Sequence, residues 1–177
     1  MNLPNILSVL RLFVTAFFIM AVNSGRFKLG LVLFVVQGVS DMLDGFLARL
    51  LGKKTALGAF LDPIADKAML VSSYIVLCLH GIVPVWVTSI ILLRDIIVPG
   101  GYLLLYKLSY KIEMSPSLLG KITTTCQICT VVYILWSDTR TYQDSFFYAT
   151  ALVTVLSGIQ YITRGFRVFL NKDRAYL

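Results

Sequence analysis

Leu29-Gly30-Leu31-Val32-Leu33-Phe34-Val35-Val36-Gln37-Gly38-Val39-Ser40-Asp41-Met42-Leu43-Asp44-Gly45-Phe46-Leu47-Ala48-Arg49-Leu50 is the stretch that decides the fold. Across its 22 residues the only charges are Asp41, Asp44 and Arg49. The apolar residues run on continuously instead of alternating, the pattern of a helix and not of a barrel strand. At about 1.5 Å per residue such a helix reaches about 33 Å, enough to cross the hydrocarbon core of a bilayer. Yet it carries two carboxylates, and a carboxylate at membrane depth costs several kcal/mol unless something compensates it. The same segment therefore poses both the fold and the chemistry.

Composition agrees with a membrane setting. The 177 residues are 58% hydrophobic and 14% charged, with a mean hydropathy of +0.82. A soluble domain carries about a quarter charged residues, and so small a body cannot hide this much apolar surface. A soluble monomer, a disordered chain and a nucleic-acid-binding domain are excluded on this ground, despite a net charge of +7. Three cysteines in apolar surroundings make no disulfide framework.

Six stretches are long and apolar enough to span, at about 5–22, 29–50, 57–79, 83–106, 118–136 and 144–163. Turn-forming residues break them: Asn23-Ser24-Gly25-Arg26, Gly52-Lys53-Lys54, His80-Gly81 with Pro84, Ser115-Pro116-Ser117, and Ser137-Asp138-Thr139-Arg140. The expectation is an all-α integral membrane protein with six transmembrane helices, a single domain over 1–177 whose residues 1–11 form an interfacial helix start. With six spans both termini share a side. That side collects Arg49, Lys53, Lys54, Lys107, Lys111, Lys121, Arg164, Arg167, Lys172 and Arg174. The other has Arg26, Lys28 and Arg140. The excess of cations puts both termini in the cytoplasm, with the rest in contact with membrane lipids.

Nine acidic residues occur in the chain, and four of them, Asp41, Asp44, Asp62 and Asp66, fall within 26 positions inside apparent spans. Four carboxylates together add mutual repulsion to desolvation. On a helix Asp44 and Gly45 lie about 60° and 40° to either side of Asp41, with Ala48 on the same face. Gly58, Asp62 and Asp66 follow i, i+4, i+8 spacing and share a face within about 80°. The two spans make an antiparallel hairpin around Gly52-Lys53-Lys54, in which Asp44 and Asp62 meet at similar depth, in the cytoplasmic half. Carboxylates without Cys or His nearby suit hard cations, Mg²⁺ or Mn²⁺ before Ca²⁺ and Zn²⁺. Four of them suggest a two-metal site holding a phosphorylated substrate. Gly45, Ala48 and Gly58 serve either close helix packing or room for that substrate. Arg49 serves either as a bidentate phosphate contact or as an interfacial anchor. A proton relay or an ion pathway is the remaining alternative for the acids.

The order Asp41, Asp44, Gly45, Ala48, Arg49, Gly58, Asp62, Asp66 resembles the signature of the CDP-alcohol phosphatidyltransferase family, D-x2-D-G-x2-A-R-x8-G-x3-D-x3-D, at every fixed position. The resemblance extends over nearly the whole chain and is strongest at residues 37–69. It implies that Asp41, Asp44, Asp62 and Asp66 hold two divalent metals. It also implies that Asp44, Gly45, Ala48, Arg49 and Gly58 accommodate the CDP part of a CDP-diacylglycerol donor. Asp66 would double as the general base for an acceptor hydroxyl, with release of CMP. A homodimer with a cytosol-facing site, in a bacterial inner or plasma membrane, is implied as well.

Within that family the chain is similar to the bacterial phosphatidylglycerophosphate synthases in length, in its Asn2-Leu3-Pro4-Asn5 start and around Gly120-Lys121-Ile122-Thr123-Thr124. Glycerol-3-phosphate brings a dianionic phosphate, for which Arg94 and Lys121 are the candidate cations. Arg94 has an alternative as the ion-pair partner of Asp95, and Lys121 as a snorkelling interfacial residue. The Arg94-Asp95 order, with Tyr102 where a second arginine is expected, is more similar to cardiolipin synthases, whose acceptor is phosphatidylglycerol. Inositol phosphate or serine are further acceptors. A divalent-cation transporter is the reading from another class, but no internal repeat supports it.

Overall fold

The computed structural model describes residues 3–51, 56–107, 117–137 and 141–174, and places side chains at 10–41, 67–104, 117–137 and 141–167. Among the described residues six helices follow one another: α1 (Leu3–Asn23), α2 (Phe27–Leu51), α3 (Ala56–Leu79), α4 (Val85–Lys107), α5 (Leu118–Trp136) and α6 (Gln143–Arg174). No strand occurs among the described residues. Each helix coincides with one expected span, except that α6 continues eleven residues past position 163. The apolar pattern stops near Arg164, but no proline follows, so nothing ends the backbone helix. Apolar windows long enough to cross a membrane lie at Val85–Leu104, Leu118–Trp136 and Gln143–Arg167, and shorter apolar stretches at Leu10–Asn23 and Lys67–Leu79.

The helices divide between two compact units. The first holds α1, α2, α3 and the last turns of α5, and α1 packs against both α2 and α3. α1 and α3 end in the same way. Gly25 (φ 71°) and Gly81 (φ 67°) adopt the left-handed conformation that L side chains resist. The Arg26 N–H reaches the Ala21 carbonyl at 2.9 Å while that of Gly25 reaches Val22 at 2.9 Å. After α3, Ile82 donates to Leu77 at 3.0 Å and Gly81 to Cys78 at 2.9 Å. These are Schellman caps, which satisfy the last carbonyls of each helix. His80 Nε2 lies 3.1 Å from Asn23 Oδ1, and its ring meets Phe27 edge-on, so the capped ends of α1 and α3 are joined.

The seam between α1 and α2 has a simple register. Val22 faces Gly30, Phe18 faces Phe34, Thr15 meets Gln37, and Arg11 meets Asp41. Each step toward the start of α1 is three or four residues, matched by the same step along α2, as an antiparallel pair requires. Gly30 lets the two backbones approach where the seam is tightest, since a Cβ there would lie 3.1 Å from Val22 Cγ2. Val22 and Phe18 are fully buried.

In the second unit α4 packs on α6, and α5 is joined to α6 by hydroxyl and amide groups. Thr130 and Thr150 share a hydrogen bond of 2.7 Å, Gln127 Nε2 donates to Thr154 at 3.5 Å, and Thr123 Oγ1 donates to the Val153 carbonyl at 3.3 Å. All of these side chains are buried. Lipid offers no hydrophobic drive between helices, so small polar side chains that pair across the seam help select the partner face.

Gly30→Leu forces a branched side chain against Val22 and Phe18. The overpacking is expected to cost about 1–3 kcal/mol and to lower the Tm in detergent by about 3–10 °C. An unchanged Tm in a thermal-unfolding scan would mean that the seam is not close-packed.

Candidate functional site

Arg11 is the feature of the first unit that sequence reasoning passed over. It lies one helical turn before Thr15, and both are buried in the α1–α2 seam. Its Nη1 is 2.6 Å from Asp41 Oδ1; the arginine side chain is 7% exposed and the aspartate 40%. Thr15 Oγ1 donates to the Arg11 carbonyl at 2.9 Å and meets Gln37 one turn from Asp41. A single cation in the otherwise apolar run 5–22 was the available signal, because a charge buried among apolar side chains needs a partner of opposite sign. What the sequence hid was the register that chooses the partner.

Asp41 is the one signature aspartate with a described side chain. Asp44, Gly45, Ala48 and Arg49 lie on α2, and Gly58, Asp62 and Asp66 on α3, with side chains outside the described set. Helix position still constrains them. On α2 the row Gly30, Phe34, Gln37, Asp41 that faces α1 continues through positions 44 and 48 at the same spacing. On α3 the buried row Leu77, Ser73, Leu70 continues to 66 and 62. Counting about 1.5 Å per residue from the joined ends gives about 21 Å to position 41 and about 20 Å to 66, then about 26 Å to both 44 and 62. The four positions thus fall at two matching levels on helices that both pack against α1.

The donor chemistry of this set fits a hard divalent cation: carboxylate oxygens only, in pairs at i, i+3 and i, i+4. Asp41 has one oxygen held by Arg11 and remains partly accessible, as a ligand must be. Among the residues with described side chains no group of three or more Asp, Glu, His or Cys gathers elsewhere.

Arg94, the first candidate for the acceptor, belongs to the second unit. Its Nη1 donates to Asp95 Oδ1 at 2.6 Å and its Nη2 to Ser157 Oγ at 3.2 Å, with the guanidinium 5.9 Å from the centre of the Tyr161 ring. Both charged side chains are at least nine-tenths buried. The expected pairing with Asp95 is therefore present. Tyr161 Oη accepts the Ser117 N–H at 3.3 Å, and Ser117 Oγ caps α5 by accepting the Gly120 N–H at 3.0 Å. A Cβ on Gly120 would lie 3.1 Å from both Ser117 Oγ and Tyr161 Oη and 3.5 Å from Arg94 Nη2. Glycine at 120 is what lets α5 begin against Arg94. Lys121, the second acceptor candidate, follows it on the first turn of α5 and is exposed. Ser117, Ser157 and Tyr161 were not singled out from sequence as site residues, because uncharged polar residues carry no pattern that marks a partner.

Comparison with known proteins agrees with the signature. The model of the CDP-alcohol phosphatidyltransferase family matches residues 1–156. A probable cardiolipin synthase (CMP-forming) of Drosophila melanogaster is 28% identical over 190 residues, covering 96% of this chain but 59% of the fly protein. The CDP-diacylglycerol--glycerol-3-phosphate 3-phosphatidyltransferase of Haemophilus influenzae is 32% identical over 171 residues, 91% of each chain. The protein of that name in Escherichia coli is 31% identical over 172 residues, 92% of this chain and 93% of its own. Signature, helical architecture and relatives converge, and the chain belongs to the CDP-alcohol phosphatidyltransferase family.

Proposed function

We propose that the protein transfers the phosphatidyl group of CDP-diacylglycerol to glycerol-3-phosphate, releasing CMP and forming phosphatidylglycerophosphate. The observation that carries this reading is the full eight-position signature in a chain alignable with two glycerol-3-phosphate phosphatidyltransferases over nine-tenths of its length. In this reading six helices cross the membrane, both termini are cytoplasmic, and the protein is a homodimer in a bacterial inner or plasma membrane. The charge asymmetry between the two sets of loops supports the orientation.

Asp41, Asp44, Asp62 and Asp66 would hold Mg²⁺ or Mn²⁺, as a two-metal site. Divalent ions bound there supply charge neutralisation on the pyrophosphate of the donor. Gly45, Ala48 and Gly58 leave room for the cytidine diphosphate, Asp44 borders it, and Arg49 contacts phosphate oxygens. Asp66 takes the proton of the acceptor hydroxyl as that oxygen forms its bond to the β-phosphorus. The bond from that phosphorus to the CMP oxygen breaks, and CMP leaves with the electron pair. Arg94 and Lys121 attract the acceptor phosphate.

Phosphatidylglycerol is the second acceptor to weigh, for one reason. Arg94 is already matched by buried Asp95, so the pair brings little net charge to a dianion, and a phosphodiester acceptor demands less. The fly relative named a cardiolipin synthase fits that alternative.

Purified protein in detergent with CDP-diacylglycerol, Mg²⁺ and each acceptor in turn is expected to release CMP with glycerol-3-phosphate; release with phosphatidylglycerol alone would transfer the assignment. Asp66→Asn is expected to lower turnover by at least about 100-fold while donor binding stays within a few-fold, as loss of a general base requires. Near-normal turnover would remove Asp66 from that role. Truncating Arg94 would strand a buried Asp95, so Arg94→Lys is the cleaner probe. It is expected to raise KM for glycerol-3-phosphate several-fold with kcat little changed, and an unchanged KM would move the acceptor pocket elsewhere.

A further inference from the structure

We infer that Arg11 is a positioning residue for the reaction: it fixes the rotation of the Asp41 carboxylate, so that one oxygen is held by the guanidinium and the other is presented to a divalent cation. The inference deepens the functional reading above and rests on its assignment of Asp41 as a metal ligand.

Three observations carry it. The contact is short, 2.6 Å from Nη1 to Oδ1, an ion pair at closest approach. The two partners are unequally buried, the arginine at 7% exposure and the aspartate at 40%. The carboxylate is therefore packed on its Arg11 side and accessible elsewhere. Finally, the arginine is not free to follow its partner. Its helix is locked to α2 one turn away by Thr15 and Gln37, and two turns away by Phe18 and Phe34. A long cation held in a close-packed seam acts as a fixed clamp, whereas an exposed one would move with the carboxylate.

A clamp and a mere neighbouring charge make opposite predictions. A cation beside a metal site repels the incoming metal, so if charge were its whole effect, removing Arg11 would tighten metal binding. Losing the partner that orients a ligand typically weakens metal binding by about 10–100-fold. Orientation is expected to dominate, because the site stays partly accessible to water, which screens the repulsion.

The test is Mn²⁺ binding to the purified full chain in detergent, without substrate, followed by loss of the free-Mn²⁺ electron paramagnetic resonance signal. Arg11→Met is expected to bind Mn²⁺ about 10–100-fold more weakly. The double variant Arg11→Met/Asp41→Asn is expected to bind no more weakly than Asp41→Asn alone, because Arg11 acts through Asp41. Arg11→Lys keeps the buried charge but lacks the planar fork; it covers the case in which Arg11→Met fails to fold, and is expected to lose affinity several-fold. Unchanged or tighter binding in Arg11→Met, or full wild-type affinity in Arg11→Lys, would overturn the proposal while leaving Asp41 as a ligand. Wild-type affinity in Asp41→Asn would instead bring down the metal assignment itself, and the Arg11 role with it.

Discussion

Everything in this fold answers to the difficulty of keeping charge among apolar helices. The first unit meets it by laying Arg11 of α1 against Asp41 of α2, where each ion is the main compensation described for the other. The second meets it within one helix, by folding Arg94 back on Asp95, and then ties the pair to α6 through Ser157 and Tyr161. An ion pair buried this way is weak evidence for stability, since desolvation consumes much of the attraction. The value of the Arg11–Asp41 pair lies in specificity, because only one register of α1 against α2 brings the two ions together.

The two pairs differ in what they leave over. Asp41 keeps accessible surface and belongs to a motif with three further aspartates, so pairing does not exhaust its chemistry. Arg94 and Asp95 are both sealed, and a methyl group on Gly120 would press on Ser117 and Tyr161, which stand beside Arg94. The first arrangement leaves one carboxylate partly open. The second resembles a keystone, and any acceptor contact made by Arg94 is made by a side chain already well tethered.

Much of this was legible in the order of residues. Continuous apolar runs located the six helices described, because they lack the alternation that marks a strand. Gly25 and Gly81 marked helix ends, since their left-handed turns need a missing side chain. The signature aspartates stood out because carboxylates are so costly there. Partner choice was less legible. Nothing local to Arg11 names Asp41, which is thirty residues away; the match depends on the turn that sets α1 against α2. Thr123, Gln127, Thr130, Thr150 and Thr154 look like unremarkable polar residues until two helices bring them face to face. α6 runs on past the apolar stretch 144–163, as a helix can outlast its apolar face.

The short turn capped by Gly25 has a corollary. Every rung from Val22–Gly30 to Arg11–Asp41 is counted from it. Inserting or deleting one amino acid there would swing α2 by about 100° relative to α1 and unmatch all the rungs at once. A change of length at this bend therefore disturbs the whole seam, whereas one in a later connection leaves its rungs matched.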